Sequence, residues 1–146
     1  MTTRTSKKSR LIWIAAGLLV ASSLTARAAD LKIVANSSIS ASSISADEIK
    51  NVFLETSNSL SDGSHVQPVL AKGGAAHQMF LKDYLGKSDS ALQMYYRSLV
   101  FTGKASMPKE CATDAEVIAY VAKTKGAIGY VSAGAAAPGT KTLEVK

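Results

Sequence analysis

From Leu31 to Val145, short β-prone runs alternate with amphipathic helices that carry their own start signals, and this alternation restricts the fold more than any other feature. Leu31–Ala35 reads as a first strand. Ser45-Ala46-Asp47-Glu48 has the form of a capping box, in which a hydroxyl and a carboxylate satisfy the first free amides of a helix. Behind it, Ile49, Val52 and Phe53 share one helical face. Asn58–Ser64 reads as a turn around Asp62-Gly63, and Val66–Leu70 as a second strand, with Pro68 marking an edge or a strand end. A helix is predicted over Ala75–Leu85, burying Ala76, Met79, Phe80 and Tyr84 and stopped by Gly86. Ser88 caps the next helix, whose inner stripe is Leu92, Tyr95, Tyr96 and Leu99. Thr113-Asp114-Ala115-Glu116 is a second capping box, leading into Val117, Tyr120 and Val121. Ala127–Val131 reads as a third strand and Thr142–Val145 as a last one. Strands interleaved with helices imply an α/β domain, a mixed sheet flanked by helices.

The first residues have a different character. Arg4, Lys7, Lys8 and Arg10 precede the apolar run Leu11–Leu24, and Ala26-Arg27-Ala28 follows with small residues. That order is the pattern of a secretory signal peptide, which predicts a leader over residues 1–28, cleavage near Ala28 and a periplasmic domain over residues 29–146. A retained anchor is the alternative, although the run falls short of the roughly 20 residues a membrane-spanning helix needs. Five of the 17 basic residues and none of the 11 acids lie in the leader, so the rest of the chain has a net charge of +1. The chain's basic character therefore belongs to the leader, and no clustered basic face argues for a nucleic-acid partner. Cys111 is the sole cysteine, which excludes an intrachain disulfide and a cysteine-rich zinc site. It reads as a small packing residue.

A catalytic constellation is not visible. His65 and His77 are the only histidines, neither in a metal-binding spacing, and no Gly-x-Ser-x-Gly elbow occurs. The expectation is a non-enzyme with no metal and no cofactor. Two segments stand out instead as anion sites. Lys72-Gly73-Gly74 precedes a helix whose first N–H groups have no internal partner, so Lys72, Gly73, Gly74, Ala75 and His77 are candidate ligand-binding residues. A plain strand-to-helix turn is the competing reading. Ser37 and Ser38 open a run with six serines up to Ser45, whose hydroxyls and nearby amides also suit an oxyanion; ordinary capping competes there.

Ala46–Leu54, Leu99–Gly103 with Pro108, and above all Gly126-Ala127-Ile128-Gly129-Tyr130-Val131 resemble the small phosphate-binding-protein-like domains related to the periplasmic phosphate receptors of ABC importers. The similarity runs over nearly all of Leu31 to Val145. It implies a type II periplasmic binding fold, of which a chain this short supplies a single lobe. It also implies phosphate or a related oxyanion as ligand and a membrane permease or sensor as partner. Relatives carry Ser-Gly-Thr at a helix start where this chain has Gly74-Ala75-Ala76, which removes both hydroxyl donors and leaves backbone amides with Lys72 and His77. That departure motivates a second reading, an interaction module that keeps the fold with a degraded anion site. The oxyanion reading expects unpaired amides at the openings of the two short helices behind the Ser37-Ser38 and Gly73-Gly74 loops to face one shared hollow.

Overall fold

A computed structural model describes residues 31–146; the expected leader and its cleavage point lie outside the described residues. Six strands form one sheet in the order β2-β6-β1-β5-β3-β4. They are β1 (Leu31–Asn36), β2 (Ser43–Ile44), β3 (Gln67–Ala71), β4 (Lys109–Cys111), β5 (Ala127–Ser132) and β6 (Thr140–Val145). Pairing is mixed. β1 runs antiparallel to β5 and β6, whereas β3 runs parallel to β5 and β4, and β2 parallel to β6. The helices are α1 (Ala46–Phe53), α2 (Ala75–Phe80), α3 (Asp89–Phe101) and α4 (Asp114–Lys123). A π-helical turn, Leu81–Leu85, continues α2 as far as Gly86.

Helices cover both faces of the sheet, because successive strand residues point to opposite sides. On β5, Tyr130 stacks against Phe80 of α2 with ring centroids 3.8 Å apart and lies 5.7 Å from Phe53 of α1. Its neighbour Gly129 faces α4, so closely that an added Cβ would lie 2.9 Å from Val117 Cγ1. α3 packs over α1: the Tyr95 hydroxyl donates to the Leu54 carbonyl at 2.6 Å, and Tyr96 donates to the Phe53 carbonyl. The centre is Ile33, Val34, Phe53, Val69, Phe80, Val117 and Ile128, all fully buried.

Several local expectations hold. The first capping box is complete, with Glu48 N–H donating to Ser45 Oγ at 3.2 Å and Ser45 N–H to Glu48 Oε2 at 2.8 Å. Thr113 caps α4 through Glu116 N–H at 3.2 Å, but the Glu116 carboxylate reaches the N–H of Ala112 instead of Thr113. Pro68 sits near the start of β3, which is an interior strand. The N–H groups of Gln67 and Ala71 point toward β5 and that of Lys72 toward β4, so Pro68 nitrogen faces the β4 side, one residue before pairing with β4 begins at Val69.

Three elements differ from the sequence reading. The buried face of α2 is turned by about one residue: Ala76, His77, Phe80 and Leu81 are buried, while Met79 and Tyr84 are only half-buried. His77 can be buried because both of its ring nitrogens find partners, Tyr130 in the core and Asp89 at the rim. The short strands β2 and β4 are additional to the predicted ones, and each forms by pairing with a strand distant in sequence. Cys111 lies in β4, and burial pushes its thiol upward, as suits a packing residue.

Candidate functional site

The two candidate loops lie at opposite ends of the sheet. β1 is antiparallel to β5, and β5 is parallel to β3, so the end of β1 lies beside the starts of β5 and β3. That end is tied together where Gly126 N–H donates to Ser38 Oγ at 3.1 Å and Gln67 N–H to the Gly126 carbonyl at 2.9 Å. Lys72-Gly73-Gly74 follows the far end of β3, roughly 16 Å away for a strand of this length. The two loops therefore do not face one shared hollow, and the start of α1 is not open either, because Ser45 caps it.

At the Ser37-Ser38 end the polar groups are engaged. Asn36 is buried; its side-chain amide donates to the carbonyls of Val121 at 2.7 Å and Ala122 at 3.1 Å, closing the end of α4. Its side-chain oxygen accepts Ser38 N–H at 2.9 Å. Ser37 is exposed in the turn. Ser38 borders a separate hollow of about 440 Å³, with Asp62, His65 and Lys125 on its walls. At the start of α1, the helix behind this loop, Glu48 N–H donates to Ser45 Oγ and Ile49 N–H to the Ser45 carbonyl.

At the other end, Lys72, Gly73 and His77 line a hollow of about 390 Å³, together with Asp89, Gln93 and Glu110. Gly74 is the N-cap of α2, with φ +90°, and supplies no side-chain cap. Ser45, Ser88 and Thr113 cap α1, α3 and α4, so α2 alone among these four helices begins without a hydroxyl. A Cβ placed on Gly73 or Gly74 would meet nothing within 4 Å, which leaves the opening accessible. Ala75 lies beyond the rim, on a separate depression with Gln78 and Lys82.

The hollow's polar side chains bond to one another. Lys72 Nζ lies 3.5 Å from Glu110 Oε2, and Gln93 Nε2 donates to Glu110 Oε1 at 2.8 Å. His77 Nε2 lies 3.0 Å from Asp89 Oδ1, and His77 Nδ1 lies 2.5 Å from the Tyr130 hydroxyl. The same hydroxyl accepts Ala71 N–H at 3.2 Å. Burial pushes the Tyr130 phenol well above its ordinary range, so it keeps its proton and donates it to Nδ1. Nε2 then carries the ring hydrogen and donates to Asp89. Carboxylate, imidazole and hydroxyl stand in the order of a nucleophilic triad. However, Tyr130 is fully buried with its ring stacked on Phe80, and its hydroxyl is held by His77 and Ala71, so this row of groups braces the hollow and presents no tyrosine hydroxyl to solvent.

Sequence reasoning singled out Lys72, Gly73 and His77, which the fold brings together. It missed Asp89, Gln93, Glu110 and Tyr130 as their neighbours. Asp89 was legible only as a first-turn acid of α3, and Tyr130 only as part of a strand; their meeting with His77 spans 12 and 53 positions of sequence.

No protein-family profile and no curated protein matches the chain by sequence. Solved structures do match by shape. A putative phosphate ABC transporter substrate-binding protein with bound phosphate from Clostridium perfringens superposes with a TM-score of 0.60 at 13% identity, over 79% of this chain and 44% of that one. An ABC-type phosphate transport receptor from Vibrio cholerae gives 0.60 at 12% identity, over 79% and 45%. PstS from Borrelia burgdorferi gives 0.59 at 12% identity, over 80% and 47%. This chain thus has the fold of part of a periplasmic phosphate-binding protein and spans less than half the length of these neighbours. Among the described residues, no helix is long and apolar enough to cross a membrane.

Proposed function

We propose that the chain is an exported solute-binding domain that is cleaved near Ala28, receives a small oxyanion such as phosphate beside Lys72, Gly73 and Gly74, and serves a membrane permease or sensor. The observation that carries this reading is the uncapped start of α2, open above Gly73 and next to the Lys72 ammonium. Free helix-start amides and a neighbouring cation are the elements that hold an oxyanion without any hydroxyl. Neighbours of the same fold, one of them with bound phosphate, support the choice of ligand class. Ser37 and Ser38, at the other end of the sheet, are outside this site.

Titration calorimetry and thermal melting with phosphate, sulfate and acetate test it. A ligand that binds only the native state at a hundredfold above its Kd stabilises it by about 2.7 kcal/mol, a readily measured rise in Tm. Lys72→Ala is expected to weaken the response. Absence of heat and of any shift at millimolar anion refutes the reading.

A specific observation favours a second reading, an interaction module that binds no solute. Lys72 is already paired with Glu110, and His77 gives its one ring hydrogen to Asp89, so no unmatched positive charge waits in the hollow. That reading predicts capture of an envelope partner with no dependence on added anion. Clear oxyanion binding without any such partner rejects it.

A further inference from the structure

The outer face of α3 presents side chains that the fold does not need and that the anion hollow does not use. Phe101 is 92% exposed and Met94 67% exposed. Seven positions apart, they lie two turns apart on one helical face. Arg97 and Ser98 stand between them, both exposed, and Val100 flanks the end. The chain then folds back, and Lys104 N–H donates to the Leu99 carbonyl at 2.9 Å, which holds Lys104 at the C-terminal end of α3. From Ser90 to Lys109 the sequence has Arg97, Lys104 and Lys109 and no Asp or Glu. The inner face of α3 is fixed by buried Leu92 and by the Tyr95 and Tyr96 hydroxyls bonded to α1, so the outer stripe is preformed.

We propose that this stripe docks the domain on an anionic lipid surface. Phe101 and Met94 would enter the boundary between headgroups and acyl chains, and Arg97 and Lys104 would meet the lipid phosphates. Charge selects this occupant. A second copy related by two-fold symmetry brings two basic stripes together with no acid on either. A protein interface of standard size needs about 800 Å² from each partner, more than Met94, Val100 and Phe101 can fill as a core. A bilayer needs only a few apolar side chains and supplies the negative charge along the whole face.

The test is co-sedimentation with vesicles of phosphatidylcholine alone or containing phosphatidylglycerol. Each variant is compared with the parent chain purified in the same processed form, so residues 1–30 contribute equally throughout. Phosphatidylglycerol is expected to raise the bound fraction, and added salt to lower it. Phe101→Ser is expected to reduce partitioning about tenfold, the scale of one buried aromatic side chain. Arg97→Glu and Lys104→Glu are each expected to reduce it about fivefold or more on phosphatidylglycerol vesicles alone. All three side chains point to solvent, so unchanged melting temperatures check that the fold is intact. Equal binding to both vesicle types, or no change in Phe101→Ser, overturns the proposal. Vesicles left unbound while the stripe captures a membrane protein from detergent extract also overturn it and assign the face to a protein partner.

Discussion

Replacing Tyr130 by Phe isolates the hydrogen-bond chain under the hollow. The ring remains and keeps its stacking on Phe80 at 3.8 Å, so the apolar contribution changes little. Two buried partners of the hydroxyl lose their bond: His77 Nδ1, now 2.5 Å from the oxygen, and Ala71 N–H, at 3.2 Å. A buried polar atom left without a partner costs about 1–3 kcal/mol, and the Ala71 amide can recover part of this by shifting toward β5. The expected loss is therefore about 2–4 kcal/mol, a large fraction of a domain's total stability. Urea unfolding followed by circular dichroism should show a lower midpoint with an unchanged slope. The slope matters, because a changed slope would mean a loosened native state. A double-mutant cycle with His77→Leu should return a coupling of about 1 kcal/mol or more, since the two side chains share one bond. A loss below about 0.5 kcal/mol with zero coupling would refute the chain as drawn.

Other positions give equally direct tests. Glu48 is held at about 2, below its ordinary 4.5, first by the Ser45 amide and then by the Ser61 amide. A depressed folded-state value means stability that is present above pH 4.5 and lost as pH falls toward 2, so the parent should lose about 1 kcal/mol more than Glu48→Gln over that window after allowance for solvent screening. Asp62 is also lowered, by its bonds from Ser64, and it cancels in that comparison because both chains carry it. Asn36→Ala removes the donor from two carbonyls at the end of α4 and the acceptor from Ser38 N–H, and should cost about 1–3 kcal/mol in chemical denaturation. At Gly126, φ is +77° and a Cβ would lie 2.9 Å from the His65 carbonyl oxygen, so Gly126→Ala should cost about 1–3 kcal/mol. The same measurement on Gly63→Ala, which has a positive φ but open space, separates the clash from the backbone preference.

What the sequence revealed followed from how local each signal is. Ser45 and Glu48 name a helix start because both halves of the cap lie within one turn, and the fold places both bonds there. The third-strand segment Ala127–Val131 is apolar throughout because helices cover both of its faces, and that too was legible. β4 was not, because Lys109-Glu110-Cys111 has no period of its own and becomes a strand only by lying along Val69–Ala71. The same distance hid the hollow's composition. Gly73-Gly74 announces an opening, but the acids that fill it arrive from α3 and β4. The rotation of α2 has this origin as well: a histidine is read as polar and outward until Tyr130 and Asp89 are known to flank it. Ser37 and Ser38 show why such loops are ambiguous, since a hydroxyl-rich loop reads alike whether it awaits a ligand or, as Ser38 does with Gly126 N–H, ties two loops together.

The pairing of Lys72 with Glu110 decides how the hollow treats an anion. Any oxyanion that takes the Lys72 ammonium must first part it from a carboxylate 3.5 Å away, and must then sit near that carboxylate's charge. Glu110→Gln keeps the side chain's shape and its contact with Gln93 while removing that competitor. Lys72 is mostly exposed, so the pair is worth only about 0.2–1 kcal/mol, and releasing it should raise anion affinity about two- to fivefold. The gain should shrink with added salt, because a solvent-facing charge is screened over about 10 Å at 0.1 M. Calorimetry with phosphate on the parent and on Glu110→Gln measures this directly. Unchanged affinity means that the anion does not touch Lys72, and weaker affinity means that Glu110 itself holds the ligand through a shared proton. Either result would move the site away from the Lys72 ammonium as its anchor, and only a rise in affinity that fades with salt keeps it there.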